Sequence, residues 1–397
     1  MTGSSLLELQ ELEEEIGKTR DDRDRFFFHN GDATEMDRDE VMTKRIERIY
    51  ERALCVEDTT GLKYLMAGMA LNLTDEYDER CEDCLSMAVR LLPFDARGWN
   101  ELGQCISKRG DDPSLVVSLF SSSVALNRCS YSLALLSISI RATLSALSPN
   151  EAALARAESI GLAREATELD ESCGDGWMSL ANALLATFFF DGQKNNHHLE
   201  ESVRSYQKAI ENGLGYKSDL HLNVSTALRY ECDLEKALHH LEVAYKCDRS
   251  TVILEQLNEL RTILRKTDEC IKDCDGDLSL NEDGSVDGKI IQICSPPSFT
   301  PCLVVLSSSS SPSSRCIVAL LNCSSSLSLL VGDTLSISSS ERLKYGACSL
   351  FRVGSPSTVL RNGRYLRDGS LALSSVSIES PSSPCLPFHR RIPPSFS

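Results

Sequence analysis

The sequence Trp99-Asn-Glu-Leu102-Gly103 decides the fold, because its outline returns farther along the chain. It returns as Trp177-Met-Ser-Leu180-Ala181 and, with histidine in place of tryptophan, as His221-Leu-Asn-Val224-Ser225. Each segment is followed by a second stretch with the apolar periodicity of a helix. Segments that return in one outline along a helical chain indicate a repeat architecture.

A small residue marks the second helix of each repeat. The position is filled in turn by Ala88, Ser123, Ala166, Ala209 and Ala244, at spacings of 35, 43, 43 and 35 residues. Small side chains let antiparallel helices approach closely, while large side chains fill the space between repeats. A period near 34 residues is typical of tetratricopeptide repeats (TPR), each of which is a pair of helices. Because one pair cannot bury its apolar face alone, we expect about five pairs stacked in a superhelical solenoid.

The two longer intervals indicate extra length inside the repeat array. One insertion is predicted within Leu147–Ala153 and the other within Thr187–Leu199, between the helices of the Trp177 repeat. Pro113 and Pro149 stand where helices are expected to begin, because proline is tolerated in a first helical turn and interrupts a helix interior.

The sequence pattern changes after the helical repeats. Residues 273–284 are rich in Asp and Gly, and beyond them short aliphatic runs alternate with turns rich in Ser and Pro. Such runs predict a small all-β domain of the barrel type, with strands at Lys289–Cys294, Cys302–Leu306, Arg315–Leu321, Leu327–Ile337 and Thr358–Leu360. The fold class is therefore α+β multidomain. We expect an N-terminal helix and break at 1–35, a TPR-like domain at 36–272, a linker at 273–284, a β domain at 285–372 and a disordered tail at 373–397.

Charge is distributed unevenly along the chain. The formal net charge is −17, yet residues 285–397 carry ten Lys or Arg and five Asp or Glu, which leaves −22 on residues 1–284. An acidic helical half favours basic partners and argues against binding to DNA. We therefore expect protein or peptide partners and no DNA.

Composition also bears on the cellular compartment. No run approaches the roughly 20 apolar residues that a membrane helix needs, and no apolar core follows a basic start as in a secretory signal. The sixteen cysteines lack the spacing of a disulfide framework, so we expect reduced thiols. These features predict a cytoplasmic and nuclear protein without a membrane partner.

Motifs of catalysis and metal binding are missing from the sequence. It has no phosphate-binding glycine-rich loop, no His-Glu-x-x-His and no Gly-x-Ser-x-Gly. Cys81-Glu-Asp-Cys84 resembles a metal or redox pair, but Cys81 falls on a small-residue position of its repeat, and no second pair stands at zinc spacing. We expect no catalytic residue, no metal site and no cofactor.

Several stretches of the chain resemble one family, tetratricopeptide repeat protein 5, also called Strap. They are Ala70-Leu-Asn72-Leu-Thr74, Trp99-Asn-Glu-Leu-Gly103, Gly192-Gln193, Asp219-Leu-His-Leu-Asn223, Val331-Gly-Asp333 and Asn362-Gly363, in order from about residue 40 to about residue 365. The resemblance implies an oligonucleotide/oligosaccharide-binding (OB) type barrel after the repeats.

The resemblance also implies two roles for the chain. One is recognition of the N-terminus of nascent tubulin on the ribosome, which triggers decay of tubulin mRNA. The other is that of a stress-responsive nuclear transcription cofactor that bridges an acetyltransferase and an actin nucleator. The Ser-rich connections around residues 306–314 and 323–328 depart from the family pattern.

Two asparagines are candidates for binding a peptide backbone. Asn182 lies five positions after Trp177, and Asn223 lies two after His221, on the first helices of adjacent repeats. An asparagine side chain donates to a carbonyl and accepts from an amide at once, so it binds backbone without selecting sequence. The alternative is that these amides only satisfy neighbours in their own helices.

Two charged residues complete the candidate peptide-binding groove. Asp219 stands near a helix start, where it either caps the helix or holds a cationic ligand group. Arg141, judged by spacing alone, is a solvated helix arginine. The family resemblance implies that Asp219 and Arg141 bind the ligand, and together they suit a motif such as Met-Arg-Glu, the tubulin N-terminus.

Arginines near the C-terminus offer a further candidate surface. Arg361, Arg364 and Arg367 form a basic cluster that contacts ribosomal RNA if the family's role holds, or lies on a solvated loop. A third possible function, binding of single-stranded RNA by the β domain, needs aromatic side chains on which bases stack. The sequence offers Tyr345, Phe351 and Tyr365 near the strands.

Overall fold

The computed structural model describes residues 3–365, apart from residues 32, 58–59, 194, 273, 275, 279–280, 282–283, 297–298, 309–312, 322–328, 339, 347 and 355–357. The predicted tail at 373–397 and Arg367 lie outside the described residues. The described chain forms two compact units. The helical unit comprises the residues up to Asn223 together with Val243–Ser250, and the sheet unit comprises Val224–Glu242 and the residues from Thr251 onward.

Helices occupy most of the described chain up to residue 271. They are α1 (Gly3–Asp24), α2 (Phe26–His29), α3 (Glu35–Cys55), α4 (Leu62–Leu71), α5 (Glu79–Leu91), α6 (Ala96–Arg109), α7 (Pro113–Leu126), α8 (Ser130–Ala142), α9 (Pro149–Leu169), α10 (Gly174–Phe190), α11 (Asn196–Ala209), α12 (Ser218–Tyr230), α13 (Leu234–Cys247) and α14 (Thr251–Ile271). Within the helical unit each helix from α3 to α11 packs against the next, and α8 also packs against α10. This is the helix order of a repeat array in which α4, α6, α8, α10 and α12 are the first helices of their pairs.

One hydrogen bond recurs at the start of these repeats. Trp99 Nε1 donates to the carbonyl of Pro93 over 3.0 Å, and Trp177 Nε1 donates to the carbonyl of Glu171 over 2.8 Å. His221 Nε2 lies 3.0 Å from the carbonyl of Gly215, the same six-residue spacing, so its Nε2 carries the proton. A ring N–H therefore fixes the turn before the first helix of each of these repeats.

Small residues are buried where the repeat pattern places them. All five residues of the small position, Ala88, Ser123, Ala166, Ala209 and Ala244, are buried. Gly103 of α6 shows how close the helices come, because a Cβ there would lie 2.7 Å from Phe120 Cε1 of α7. These contacts explain why a small residue is needed at each crossing.

The insertions mainly lengthen helices, although the connections from Ala142 to Pro149 and from Phe190 to Asn196 are also longer than that from Arg109 to Pro113. A 3₁₀ turn at Leu144–Ala146 precedes α9, which begins at Pro149 behind a capping box of Ser148 and Glu151 and runs for 21 residues. The second insertion extends α10 to 17 residues, against 14 for α6. Each insertion therefore adds helical turns, and the pairing of helices is kept.

The sheet unit carries nine strands in its described residues. They are β1 (Gly276–Asp277), β2 (Val286–Ile293), β3 (Cys302–Ser307), β4 (Ser314–Leu320), β5 (Thr334–Ile337), β6 (Glu341–Tyr345), β7 (Cys348–Val353), β8 (Val359–Arg361) and β9 (Arg364–Tyr365). The order is β6-β7-β4-β3-β2-β5-β8-β9, with β4 and β7 parallel and β1 added beside β4. The predicted α+β layout is thus confirmed.

Closure of the predicted barrel is not seen. Within the described residues no pairing joins β6 to β9, the two ends of the strand order. Strand β9 has only two residues, and Glu341, Arg342 and Lys344 of β6 are charged, a composition that discourages pairing at an edge. The domain is an open, strongly packed sheet in the part described, with a core that includes Val304, Val318 and Phe351.

Candidate peptide-binding surface

Polar side chains are buried along the first helices of the repeats. Besides the predicted residues Arg141, Asn182 and Asn223, they include Asn100, Glu101 and Gln104 of α6 and Ser132 and Ser137 of α8. Buried polar groups require hydrogen-bond partners, so a buried group that lacks one calls for an explanation, of which a bound ligand is one. We call the polar faces of α6, α8, α10 and the first turns of α12 the inner surface.

The two predicted asparagines meet on adjacent helices. Asn223 Nδ2 donates to Asn182 Oδ1 over 3.1 Å, and the hydroxyl of Tyr206 donates to the same oxygen. Both lone pairs of Asn182 Oδ1 are thereby used. Asn182 Nδ2 and Asn223 Oδ1 take no part in this network, which leaves one donor and one acceptor for a ligand.

Arg141 is buried, which corrects the expectation of a solvated arginine. Only 5% of the residue is exposed, and its Nη1 donates to Ser137 Oγ over 2.8 Å and to Ser159 Oγ over 2.7 Å. Its Nε and Nη2 atoms have no hydrogen-bond partner in the part of the chain that the structure describes. A buried guanidinium without a carboxylate beside it is costly, so the site lacks an anionic group that would complete it.

Asp219 lies in the first turn of α12, inside the helix that begins at Ser218. A carboxylate in this turn is stabilised by the helix dipole. The neighbouring Lys217 donates to Asp175 Oδ1 over 3.0 Å. Burial alone would lower the pKa of Lys217, but the charges of Asp175 and Asp219 outweigh it, and the pKa lies above its usual value. Asp219 therefore already contributes to holding a cation.

The structure does not bring all the predicted groove residues into contact. No hydrogen bond or ion pair joins Arg141 to Asp219 among the described residues. The asparagine pair lies on α10 and α12, whereas Arg141 lies at the end of α8. A ligand that touches all four must be extended across three helices, as an extended peptide is.

Helix α1 also reaches the inner surface, which the sequence pattern did not indicate. Arg20 of α1 pairs with Glu101 of α6 over 3.4 Å, although the two stand 81 residues apart in the chain. The guanidinium of Arg25 lies over the ring of Tyr216, 5.4 Å from its centroid. Because these partners are distant in sequence, no local pattern could have predicted the contacts.

Two of the three predicted arginines near the C-terminus, Arg361 and Arg364, lie on the hairpin of β8 and β9. Arg361 Nη2 pairs with Asp333 Oδ2 over 2.8 Å, so its charge is already engaged. Arg364 is exposed on β9, and Arg367 lies outside the described residues. A role of this cluster in contacting ribosomal RNA stays a prediction.

Two of the three aromatic side chains named for base stacking already make contacts within the fold. Phe351 is buried in the sheet core, and the Tyr345 hydroxyl donates to Asp268 Oδ1 over 3.0 Å. Tyr365 is exposed. One exposed ring is a small platform for a single-stranded nucleic acid, which commonly stacks several bases.

The described residues contain neither a metal-binding cluster nor a membrane-spanning helix. No group of three or more His, Cys, Asp and Glu side chains is arranged to hold a metal ion there. No helix there is both long enough and apolar enough to span a bilayer. Cys81 and Cys84 are both buried, and Cys81 Sγ donates to the carbonyl of Gly68 over 3.3 Å, as expected of cysteines in a core.

Curated proteins with this sequence pattern confirm the resemblance seen in the sequence. The chain is 28% identical over 270 residues to tetratricopeptide repeat protein 5 of Homo sapiens, a match of 64% of this chain and 60% of that protein. It is 29% identical over 247 residues to the protein of the same name from Bos taurus, covering 60% and 55%. The chain thus spans about 60% of the length of the curated relatives it matches. No family model matches.

Solved structures show distant likeness to repeat proteins. The human IFIT1 dimer with PPP-AAAA matches with a TM-score of 0.43 and 13% identity, over 58% of this chain and 53% of that one. YrrB, a TPR protein with an unusual peptide-binding site, matches with a TM-score of 0.32 and 16% identity, over 55% and 97%. With its helix pairs and curated relatives, the chain is a TPR-like scaffold, an architecture whose stacked repeats form binding surfaces for other proteins.

Proposed function

We propose that the chain is a non-catalytic adaptor whose inner surface binds a short extended peptide, and that this peptide is the N-terminus of nascent tubulin. The observation that carries the proposal is Arg141, a buried arginine with two unsatisfied donor atoms. The resemblance to tetratricopeptide repeat protein 5 supports the choice of tubulin. The proposal requires a cytoplasmic location beside the ribosome, with the control of tubulin mRNA as the outcome.

Arg141 supplies the site for an acidic side chain. Its Nη1 is anchored by Ser137 and Ser159, which fixes the plane of the guanidinium. The unsatisfied Nε and Nη2 atoms are the pair that a carboxylate binds in bidentate fashion. The glutamate of a Met-Arg-Glu ligand would supply that carboxylate.

The asparagine pair and Asp219 supply the rest of the recognition. Asn182 Nδ2 and Asn223 Oδ1 offer one donor and one acceptor, which suit a peptide C=O and N–H. Asp219 stands in the first turn of the helix that carries Asn223, so it suits the ligand's arginine. A peptide with adjacent basic and acidic side chains satisfies both charges, which a purely acidic or basic peptide does not.

Fluorescence polarisation with a labelled tubulin N-terminal peptide tests the proposal. We expect binding by the full chain and a loss of at least about tenfold in Asp219→Lys and in Arg141→Met, since each removes a charge-assisted contact. Glu235→Lys is the control for charge, because Glu235 is an exposed acid in the first turn of α13. Arg164→Met is the control for Arg141, because Arg164 is an exposed arginine of α9.

The outcomes separate the proposal from its alternatives. Equal loss in the variants and in their controls would show a general charge effect and contradict the inner surface as the site. Absence of binding to the isolated peptide calls for the same measurement on ribosomes that expose the tubulin N-terminus. Absence of binding there too would refute the tubulin proposal.

A further inference from the structure

A hollow lies on the outer face of the sheet unit, the face turned away from its core, where β2, β5 and β8 run side by side. It has a volume of about 450 Å³. Its polar lining residues in the described chain are Asn281, Asp287, Ser308, Thr334 and Ser336. None of them belongs to the inner surface, and the proposed function uses none of them.

Strand register sets the side chains of the hollow in a row. Asp287 of β2 lies opposite Ser336 of β5, and Ser336 lies opposite Leu360 of β8. Tyr365 of β9 lies opposite Leu360 and continues the row, with 64% of the residue exposed. Residues directly opposite in antiparallel strands share a face, with Cβ atoms about 4.5–5.5 Å apart. The row therefore runs from a carboxylate through a hydroxyl to apolar and aromatic surface.

The carboxylate of Asp287 is held in place without being neutralised. Asn281 Nδ2 donates to Asp287 Oδ2 over 2.7 Å and to Ser285 Oγ over 2.8 Å. In the part of the chain that the structure describes, Asp287 makes no ion pair, and its Oδ1 accepts no hydrogen bond. The hollow thus presents an exposed carboxylate with one oxygen fixed and the other available.

The fixed polar groups around this carboxylate are acceptors as well. Both amide hydrogens of Asn281 are engaged, so its Oδ1 is what it offers a ligand. The Thr334 hydroxyl donates its hydrogen to Asn362 Oδ1 over 3.1 Å, which leaves only lone pairs. Asp287 is the one charged residue among the described lining residues. The hollow therefore suits a positively charged group with several donors, and a phosphate or carboxylate would meet acceptors alone.

Neighbouring cations do not fill the hollow. Lys289 extends towards the turn before β5, where its Cε lies 3.7 Å from the position of a Cβ on Gly332. Arg361 pairs with Asp333, and Arg364 lies opposite Arg361, in positions that alternate with the row. Because successive residues of a strand point to opposite faces, these two arginines project away from the hollow.

We propose that this hollow is a second docking site, which binds an arginine side chain of a basic segment of another protein. The guanidinium donates to Asp287 Oδ1 and to Asn281 Oδ1, and its methylene groups pack on Leu360. Arginine fits better than lysine because it has five donors in one plane, whereas lysine has three at a single point. The exposed ring of Tyr365 offers contact to the next residues of the segment.

A nuclear magnetic resonance titration of the full chain, labelled with ²H and ¹⁵N, tests this site. The probe is the peptide acetyl-Gly-Ser-Arg-Ser-Gly-amide. We expect saturable shifts of the backbone amides of Asp287, Ser336 and Leu360. The same peptide with citrulline, which has the shape of arginine without its charge, should bind at least about tenfold more weakly. The lysine peptide should also bind less tightly than the arginine peptide.

Two variants of the chain separate charge from space. Asp287→Asn keeps an oxygen for Asn281 but removes the charge, and it should weaken binding of the arginine peptide at least about tenfold. Ser336→Leu leaves the carboxylate in place and fills the hollow, so it should also abolish binding. Glu269→Gln is the matched control, because Glu269 is an exposed acid of α14 outside the hollow. Circular dichroism and melting temperature verify that each variant folds.

Several results would overturn the proposal. They are the absence of saturable shifts at the hollow, equal binding of the citrulline or lysine peptide, unchanged binding by Asp287→Asn, and the same shifts produced by inorganic phosphate. Free arginine should bind less tightly than the blocked peptide, because its own carboxylate would meet only acceptors. Tighter binding of free arginine would make the amino acid the ligand and exclude a protein segment.

Discussion

Asn223 Nδ2 donates to Asn182 Oδ1 over 3.1 Å, across 41 residues of sequence and between two different helices. The bond ties adjacent repeats together at the surface where both asparagines are expected to meet a ligand. The same pair therefore has a structural role beside the binding role proposed for it. The buried acceptor Asn182 Oδ1 serves the fold, and the remaining amide groups are free of that network.

Asn182→Ala should therefore destabilise the chain as well as weaken peptide binding. It leaves the Tyr206 hydroxyl and Asn223 Nδ2 without their shared acceptor, and an unsatisfied buried donor costs about 1–3 kcal/mol. Urea unfolding of Asn182→Ala, Asn223→Ala and the double variant measures this. We expect the double variant to lose less than the sum of the single ones, because the pair acts as a unit. Strict additivity would contradict the coupling.

Arg141→Met should separate stability from function. The substitution removes a buried charge whose Nε and Nη2 atoms have no partner in the described structure and keeps a side chain of similar length. Ser137 and Ser159 keep bonds to each other, since each hydroxyl donates to the other's carbonyl, over 2.9 and 3.0 Å. Replacing a buried charge with an apolar group is often neutral or stabilising, by about 1–4 kcal/mol. We expect an unchanged or higher free energy of unfolding in urea together with lost peptide binding, whereas a large destabilisation would assign Arg141 to the fold.

Two glycines in helices should respond in opposite directions to alanine. At Gly103 a Cβ would lie 2.7 Å from Phe120 Cε1, so Gly103→Ala should destabilise the chain by about 1–3 kcal/mol. At Gly161, inside α9, nothing lies within 4 Å of the added Cβ. Gly161→Ala should therefore stabilise the chain by about 0.5–1 kcal/mol through helix propensity. Thermal unfolding of the two variants checks both signs, and the same sign for both would contradict the close packing of α6 on α7.

The sequence was enough to predict the repeats but not the way their insertions are accommodated. The six-residue spacing from Pro93 to Trp99 is local, and so is the small residue of each second helix, so both could be recognised without a structure. The lengthening of α9 and α10 depends on how added turns pack against neighbouring helices. A longer interval in the sequence shows that residues are inserted, but it does not show whether they form a loop or extend a helix.

The β domain shows the same limit for long-range pairing. The aliphatic runs predicted β2, β3, β4 and β8 within a few residues, whereas the run Leu327–Ile337 overlaps β5 only at Thr334–Ile337. Strands β1, β6, β7 and β9 were missed. Strand β6 is Glu-Arg-Leu-Lys-Tyr, whose charged residues do not give the aliphatic pattern by which the other strands were recognised. Strand β7 pairs in parallel with the distant β4. Because parallel pairing joins segments far apart in the chain, neither the partner of β7 nor the lack of closure follows from local pattern.

The candidate site was predictable in its residues more than in its geometry. The resemblance named Arg141, yet spacing alone suggested a solvated side chain. In its buried position it is held by hydrogen bonds to Ser137, one helical turn away, and to Ser159 on the next helix. The contribution of α1 through Arg20 was not predictable at all, because its partner Glu101 is distant in the chain.

The stability of the sheet unit should fall in acid through Asp333. Burial alone would raise the pKa of Asp333, but the hydrogen bonds from the Asn362 side chain and the Leu330 N–H, together with the Arg361 guanidinium, outweigh it, and the pKa lies below its usual value of 3.8. A carboxylate whose pKa is lower in the folded chain stabilises it above the unfolded pKa and loses that effect as the pH falls through the folded pKa. We therefore compare Asp333→Asn with the unmodified chain by urea unfolding from pH 7 to pH 2. The difference in unfolding free energy should be about 1–3 kcal/mol at pH 7 and should shrink below about pH 4. A difference that stays constant across this range would show that the ionised carboxylate is not what holds the β8–β9 hairpin.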